Sequence, residues 1–351
     1  MSLAESHLLH AEQLLDGRDQ RALPAFHYAE QCGADPDSCA AGRWMVHMLA
    51  GDFAAAWRES DAIRLRGAPD PNRIWDGKPL EGRRVIVRCL HGFGDAIQFL
   101  RYAPRLRGIT SSLIVEVPPR LVDFAPCIAG IDRVATWGLH APAEPVHWDA
   151  QIEVMELPYI FRTKLHELPI AEQYVQLPHS NQQRIATLMG ESDRPRIGLV
   201  WAAGDWNPSR SISFPVIEPL TSNQNCEFWN LQGGAAHAEW QRLPRSSRLR
   251  DIAEVGDGVM NLACTIAQLD LVITVDTLAA HLAGAMGVPT GLLLQYSADW
   301  RWLANGSTSR WYPSLRLFRQ PSPGDWHSLI AEVRKEMCKW TQLCRCTQRI
   351  A

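Results

Sequence analysis

The feature that most constrains this chain is a series of short apolar runs that do not alternate with polar residues. Arg84 to Leu90 (RVIVRCL), Leu113 to Val117, Arg196 to Trp201 (RIGLVW), Leu269 to Val275 and Thr290 to Leu294 are all of this kind. Strands apolar on both faces belong in parallel sheets covered on both sides. Ile131 to Ala135, Ala150 to Val154, Tyr174 to Leu177 and Cys226 to Leu231 add further strand-like segments. Helix-like stretches separate them, among them Ala96 to Leu106, a helix from Arg120, and Gln182 to Met189. The pattern predicts an α/β chain with two Rossmann-like domains facing a cleft, at 78–180 and 190–340, divided near Pro178 to Pro195. Trp326 to Trp340 reads as an amphipathic helix closing the second domain, and 341–351 as a tail.

The segment before the first strand has another character. Aligning Gly17 with Gly51 also aligns Leu15 with Leu49, Ala22 with Ala56, Gly33 with Gly67 and Ala34 with Ala68, an offset of 34 residues. That is the period of the tetratricopeptide helix-turn-helix unit. Residues 1–70 are therefore expected to form two such repeats, too few for a free-standing solenoid, and so to dock on the remainder of the chain. Gly67 to Lys78 (GAPDPNRIWDGK) reads as a linker.

Composition excludes several classes of function. The 351 residues are 46% apolar and 21% charged with a formal net charge of -3, which gives no global attraction to nucleic acid or an acidic membrane. Nine cysteines, irregularly spaced and without a CxxC pair, suggest reduced thiols rather than a zinc site or a disulfide framework. The first residues carry Glu5 and Glu12 and no basic region, unlike a secretory signal. The most apolar stretch, Leu271 to Leu294, is interrupted by Asp276, Thr277, His281 and Pro289, so no transmembrane segment is expected. These features together predict a cytoplasmic protein. Fourteen tryptophans, six of them between Trp201 and Trp302, can stack on sugars or bases but more commonly pack a core.

Ligands of open α/β sheets bind outside the carboxyl ends of the strands, and three loops there carry chemistry. In His91-Gly92-Phe93-Gly94-Asp95 two glycines permit a sharp turn, and Asp95 either faces the cleft or serves as the N-cap of the helix. A dinucleotide fingerprint would need Gly at position 97, which is Ile97, and this disfavours a nicotinamide dehydrogenase. In Trp201 to Ser213 the small residues Ala202, Ala203 and Gly204 leave backbone amides open to a phosphate. Arg210 is the natural counter-charge there, and the competing reading is a solvated loop. Asp276-Thr277-Leu278-Ala279-Ala280-His281 ends a strand and opens a helix of small residues, an arrangement suited to an anion such as a diphosphate. Capping by Asp276 or Thr277, and a structural His281, are the alternatives.

Taken together these loops resemble a known family. Gly92 to Tyr102 (GFGDAIQFLRY) is similar to the opening loop and helix of the tetratricopeptide-linked glycosyltransferases related to the heptosyltransferases, glycosyltransferase family 9. Arg196 to Trp201, Leu231-Gln232, Val275-Asp276-Thr277, His281 to Gly284, Asp299-Trp300-Arg301-Trp302, Trp311-Tyr312-Pro313 and Pro323 to Trp326 succeed it in the same order over nearly the whole chain. The resemblance implies a GT-B fold and a hexosyl- or heptosyltransferase that inverts the sugar without a metal or other cofactor. Its donor would be a nucleotide-diphosphate sugar, and its acceptor a glycan, lipopolysaccharide core or protein.

Carried over by position, the resemblance makes Asp95 the general base. It puts Ala202, Ala203 and Arg210 on the donor phosphates, Gln232 near the ribose, and Met260 and Asn261 near the base. Asp276 would touch the sugar, and Thr277, Ala279 and Ala280 would take the diphosphate, with Gly94 and His281 completing the donor pocket. Where many relatives have a His and a further acid after the RIGLVW strand, this chain reads GDWNPSR. The metal-binding DxD pattern of GT-A enzymes occurs as Asp35-Pro36-Asp37, in the turn between the repeats. The alternative is a catalytically silent scaffold that binds a sugar nucleotide, with the repeats free to hold a protein partner.

Overall fold

The computed structural model describes residues 2–67, 75, 78–136, 147–169, 174–243 and 249–348. Four helices come first: α1 (Leu3–Asp16), α2 (Ala22–Gln31), α3 (Pro36–Ala50) and α4 (Phe53–Leu65). α1 packs on α2 and α3 on α4. Ser2 caps α1 with Glu5 in a reciprocal capping box, while Asp35 and Asp52 cap α3 and α4. Gly33 and Gly67, paired by the 34-residue offset, both adopt positive φ (90° and 82°) just beyond a helix end. The expected linker, Gly67 to Lys78, lies largely outside the described residues.

Four parallel strands make the first sheet: β1 (Arg84–Arg88), β2 (Ser112–Val117), β3 (Arg133–Thr136) and β4 (Ala150–Glu153), in the order β3-β2-β1-β4. α5 (Phe93–Phe99) and α6 (Ala103–Arg107) link β1 to β2, with one 3₁₀ turn between them, and α7 (Leu157–Ile160) comes after β4. The second sheet holds six parallel strands, β5 (Arg196–Val200), β6 (Glu227–Asn230), β7 (Leu249–Asp251), β8 (Leu271–Val275), β9 (Thr290–Leu294) and β10 (Leu315–Arg319). Its order is β10-β9-β8-β5-β6-β7. Its helices are α9 (Phe214–Ile217), α10 (Gly234–Arg242), α11 (Val259–Ile266) and α12 (Leu278–Ala285). α8 (His179–Met189) precedes the sheet and α13 (Trp326–Gln348) succeeds it.

Several local expectations are corrected. The helix from Arg120 is instead two 3₁₀ turns, Pro119–Leu121 and Ala125–Cys127, because Pro118, Pro119 and Pro126 lack the amides a continuous helix needs. Tyr174 to Leu177 joins neither sheet. It makes a single antiparallel bridge, Val175 to Ile128, while the Tyr174 hydroxyl donates to the Ile97 carbonyl at 2.7 Å and Pro178 ends the run. β7 and β10 lack a long apolar run and sit at the two edges of their sheet, where short or alternating strands suffice.

One large apolar core ties the parts together. Met48, Phe53 and Trp57 from the N-terminal helices are buried in the same cluster as Phe99 and Tyr102 of the first sheet's layer and Trp300, Trp302 and Trp311 of the second's. The Trp57 indole donates to the Thr163 carbonyl at 2.8 Å. Trp44 and Phe53 meet the Trp300 ring edge-on at 5.6 and 6.2 Å, and Arg18 donates to the Ala298 carbonyl at 2.6 Å. The helices thus sit across the junction of both sheets, and most of the described tryptophans pack in or against the two main cores.

Candidate functional site

The order of strands fixes where the cleft lies. In the first sheet β1 is flanked by β2 on one side and β4 on the other, so chain connections diverge between β1 and β4. In the second sheet the same divergence falls between β5 and β8. Such switch points open a crevice beyond the carboxyl ends of the strands. The loop after β1, the loop after β5 and the loop after β8 all emerge at these two places.

The loop after β1 meets the start of α12 across the sheets. Gly94 has no room for a side chain, since a Cβ there would stand 2.5 Å from Cδ2 of His281. The His281 ring is buried, with Nδ1 3.1 Å from the Tyr312 hydroxyl and Nε2 3.9 Å from an Asp276 oxygen. Tyr312 fits because Gly284, one turn along α12, leaves the space its ring fills. Burial, reinforced by Arg301, Arg101 and Arg210, holds the His281 imidazole well below its ordinary pKa and therefore neutral.

Asp95 differs from the expected N-cap. Gly92 is the N-cap of α5, and Asp95 stands at its third position, reaching back so that Oδ2 accepts the Gly92 amide at 3.0 Å. Its other oxygen, Oδ1, accepts from Arg301 Nη2 at 2.5 Å. Arg301 is buried, also pairs with Asp299 at 2.8 Å, and lies over the rings of Phe99 and Trp300. Burial alone would lower its guanidinium pKa, but the carboxylates of Asp299 and Asp95 outweigh that cost and push it up. Both Asp95 oxygens are therefore engaged, one within its own loop and one by the opposite sheet.

At the second sheet, Arg210 Nη1 donates to the Asp276 carbonyl at 3.1 Å, which brings the loops after β5 and β8 together. Arg210 also lies 5.3 Å from the ring of Trp206, which is 82% exposed. Burial raises the Asp276 carboxyl to about 6, helped by Asp299 and opposed by the nearby Trp302, Arg210 and Arg301. Thr277 is the N-cap of α12, yet its hydroxyl bonds Thr274 Oγ1 at 3.0 Å rather than the helix. Ala279 and Ala280 occupy the first turn, and the Ala280 amide bonds the Thr277 carbonyl.

The amides after β5 have partners within the chain. Gln232 Oε1 accepts from the amides of Trp201 and Ala202 at 3.0 and 2.8 Å, and Ser211 Oγ accepts from Ala203 at 3.0 Å. Gln232 Nε2 donates back to the Ala202 carbonyl, so this side chain pins the loop to the end of β6. Met260 and Asn261 stand on α11, where Asn261 bonds the Asp257 carbonyl at 2.6 Å and the guanidinium of Arg184.

One group that the sequence reading did not single out sits at the end of the first sheet. Glu153 ends β4, opposite Arg88 of β1 in the ladder, and is 3% exposed. Its Oε2 accepts the Met155 amide at 2.7 Å, while Oε1 lies 3.9 Å from Nε2 of His91. Burial raises its carboxyl to about 7, with Glu156 and Asp95 adding to the effect and the amides of Met155 and Leu90 opposing it. A lone acid at the end of a short strand carries no signal until the sheet order places that strand beside β1.

No protein-family model matches the chain. A curated protein, FlbA of Caulobacter vibrioides, is 25% identical over 308 residues, 78% of this chain and 49% of that protein, so the chain spans about half the length of this relative. Among solved structures, a family 9 glycosyl transferase from Veillonella parvula superposes with a TM-score of 0.51 at 13% identity, over 69% of this chain and 87% of that one. The Escherichia coli ADP-heptose lps heptosyltransferase II gives a TM-score of 0.52 at 13% identity, over 76% and 100%. Among the described residues no helix is long and apolar enough to cross a membrane. At this level of identity the likeness is one of architecture: the mixed α/β fold with its parallel sheets is that of family 9 glycosyltransferases.

Proposed function

We propose that this chain is a glycosyltransferase that moves a sugar from a nucleotide-diphosphate sugar to an acceptor hydroxyl, inverting the anomeric carbon without a bound metal. One observation carries the reading. The loop after β1 meets α12 with Gly94 against His281, and meets the turn after β9 with Asp95 against Arg301. A ligand beyond the ends of β5 and β8 would have Arg210, Thr277 and the positive end of α12 at its diphosphate. An acceptor beyond β1 would approach the sugar from the opposite side. The departing diphosphate gains negative charge that Arg210 and the helix dipole stabilise. The hydroxyl's proton goes to a base on the acceptor side, for which the family resemblance nominates Asp95. The acceptor is a glycan, lipopolysaccharide core or protein.

A specific observation favours the second reading, a silent sugar-nucleotide scaffold. Asp95 is held at both oxygens, and the amides of Ala202 and Ala203 are occupied by Gln232 and Ser211. Thermal-shift screening against ADP-, GDP-, UDP- and dTDP-sugars, and then assay of donor hydrolysis or transfer, separates the two. A ligand at a hundred times its dissociation constant should stabilise by about 2.7 kcal/mol. Binding should persist in EDTA, since positive groups of the protein face the diphosphate. Binding without turnover means a scaffold; dependence on Mg²⁺ or Mn²⁺ sinks the metal-free arrangement.

A further inference from the structure

The rim of the second sheet carries two aromatic rings to which the transferase reading gives no role. Trp206, in the loop after β5, is 82% exposed, more than any other Trp, Tyr or Phe among the described residues. Tyr296, in the loop after β9, is 36% exposed. An indole left in water forgoes the burial that most of the other described tryptophans obtain. Both loops are nevertheless braced. Asn207 Oδ1 accepts the Ser209 amide at 3.2 Å, Ser211 Oγ accepts the Ala203 amide at 3.0 Å, and Arg210 Nη1 donates to the Asp276 carbonyl at 3.1 Å. In the second loop the Tyr296 amide donates to Gln320 Oε1 at 3.0 Å, and Ser297 Oγ donates to the Asp16 carbonyl at 3.1 Å. The Ser209 hydroxyl bonds Gln295 Oε1 and ties one loop to the other.

Strand order decides what these rings adjoin. β8 stands between β9 and β5, so the two loops flank the Asp276-Thr277 turn. The Arg210 guanidinium lies 5.3 Å from the centre of the Trp206 ring, next to the proposed diphosphate. Gln232, which the resemblance puts near the ribose, follows β6 on the far side of β5. The loop after β9 runs on to Arg301, which pairs with Asp95 of the first sheet. The rings therefore stand on the side where sugars meet, away from the nucleoside.

We propose that Trp206, with Tyr296 on the adjoining loop, forms a subsite that takes the flat apolar face of a pyranose ring and so selects among sugars. The inference rests on the transferase reading. A pyranose has C–H groups on its faces and hydroxyls around its edge, so stacking on an exposed indole removes apolar area from water and leaves the hydroxyls hydrated. The same chemistry is presented by the sugar of the donor and by a sugar of the acceptor.

The test uses the full chain, the ADP-, GDP-, UDP- and dTDP-sugars with their nucleoside diphosphates, and the methyl pyranosides of glucose, galactose, mannose and N-acetylglucosamine. Trp206→Ala removes a ring outside the cores, so its melting curve should match that of wild type. If the donor's sugar stacks, the dissociation constant of the sugar nucleotide should rise about 2–10-fold, and that of the nucleoside diphosphate should change less. If an acceptor sugar stacks, methyl pyranosides should receive saturation from the protein by NMR with nucleoside diphosphate bound, and lose it in Trp206→Ala. Trp206→Phe should keep most of either effect, and Tyr296→Ala should lose part of it. Either result upholds the subsite and names the sugar it takes. Equal losses for sugar nucleotide and nucleoside diphosphate, without a pyranoside effect, reduce Trp206 to a support for Arg210 and overturn the proposal. Ligands that treat wild type and Trp206→Ala alike overturn it too. A wild-type protein that binds no sugar nucleotide ends the transferase reading, and the pyranoside comparison, run without nucleotide, then decides the subsite alone.

Discussion

Replacing Glu153 by Gln offers a test of the buried carboxylate that needs no substrate. The carboxyl stands near 7 in the folded chain against an ordinary 4.5, chiefly because burial penalises its charge. Each pH unit of displacement corresponds to about 1.4 kcal/mol, so the full difference is on the order of 3 kcal/mol. The sign is that of a raised value. The folded state binds the proton more tightly, so the contribution is fully present below about pH 4.5 and is lost as pH rises through 7. Gln mimics the protonated acid in shape, and its oxygen can still accept the Met155 amide. Wild type and Glu153→Gln should therefore be similarly stable near pH 4.5. At pH 8 the variant should be the more stable by on the order of 3 kcal/mol. Urea unfolding of both proteins at several pH values measures this, and taking the difference at each pH cancels carboxylates common to both. A difference that does not change with pH would mean that Glu153 is hydrated or paired when charged, and would refute the burial argument.

Arg210→Ala should weaken binding of a nucleoside diphosphate by about 1.5–3 kcal/mol and leave the bare nucleoside nearly untouched; equal losses by calorimetry would reduce Arg210 to a tether on the Asp276 carbonyl. Removing residues 1–67 should expose Trp300, Trp311 and Tyr159, which Phe53 and Trp57 now cover, and raise binding of an apolar dye. A truncated chain that stays soluble, dye-negative and equally stable would show that the helices are an appendage. Gly94→Ala places a methyl 2.5 Å from the His281 ring, and both neighbours are packed, so destabilisation of about 1–3 kcal/mol is expected; an unchanged melting curve would show that the two loops separate readily.

Arg301 illustrates how a local rule can mislead. In sequence, an Asp three residues into a Gly-rich turn is equally a cap or a cleft acid. The structure makes it the third residue of the helix, bonded back to its own loop and across to the second sheet. A guanidinium 206 residues away, dry and flanked by aromatic rings, holds one oxygen, and a loop amide holds the other.

The sequence by itself determined the covered parallel strands, because a run apolar on both faces has no stable place in water except under helices on each side. It also located the loops after β1, β5 and β8, since strand ends and glycine-rich or small-residue turns are local features. Their meeting was decided elsewhere. Strand order, set by long-range packing, put β4 beside β1 and β8 beside β5, and only that order turns Glu153 into a neighbour of His91 and Arg210 into a neighbour of Asp276. The same holds for the polar partners. Gln232 can close on Ala202, and Arg301 on Asp95, only after the intervening chain has folded back. Hydrogen bonds and ion pairs act over a few ångströms of space, whereas sequence spacing reports proximity only within one helix, strand or turn.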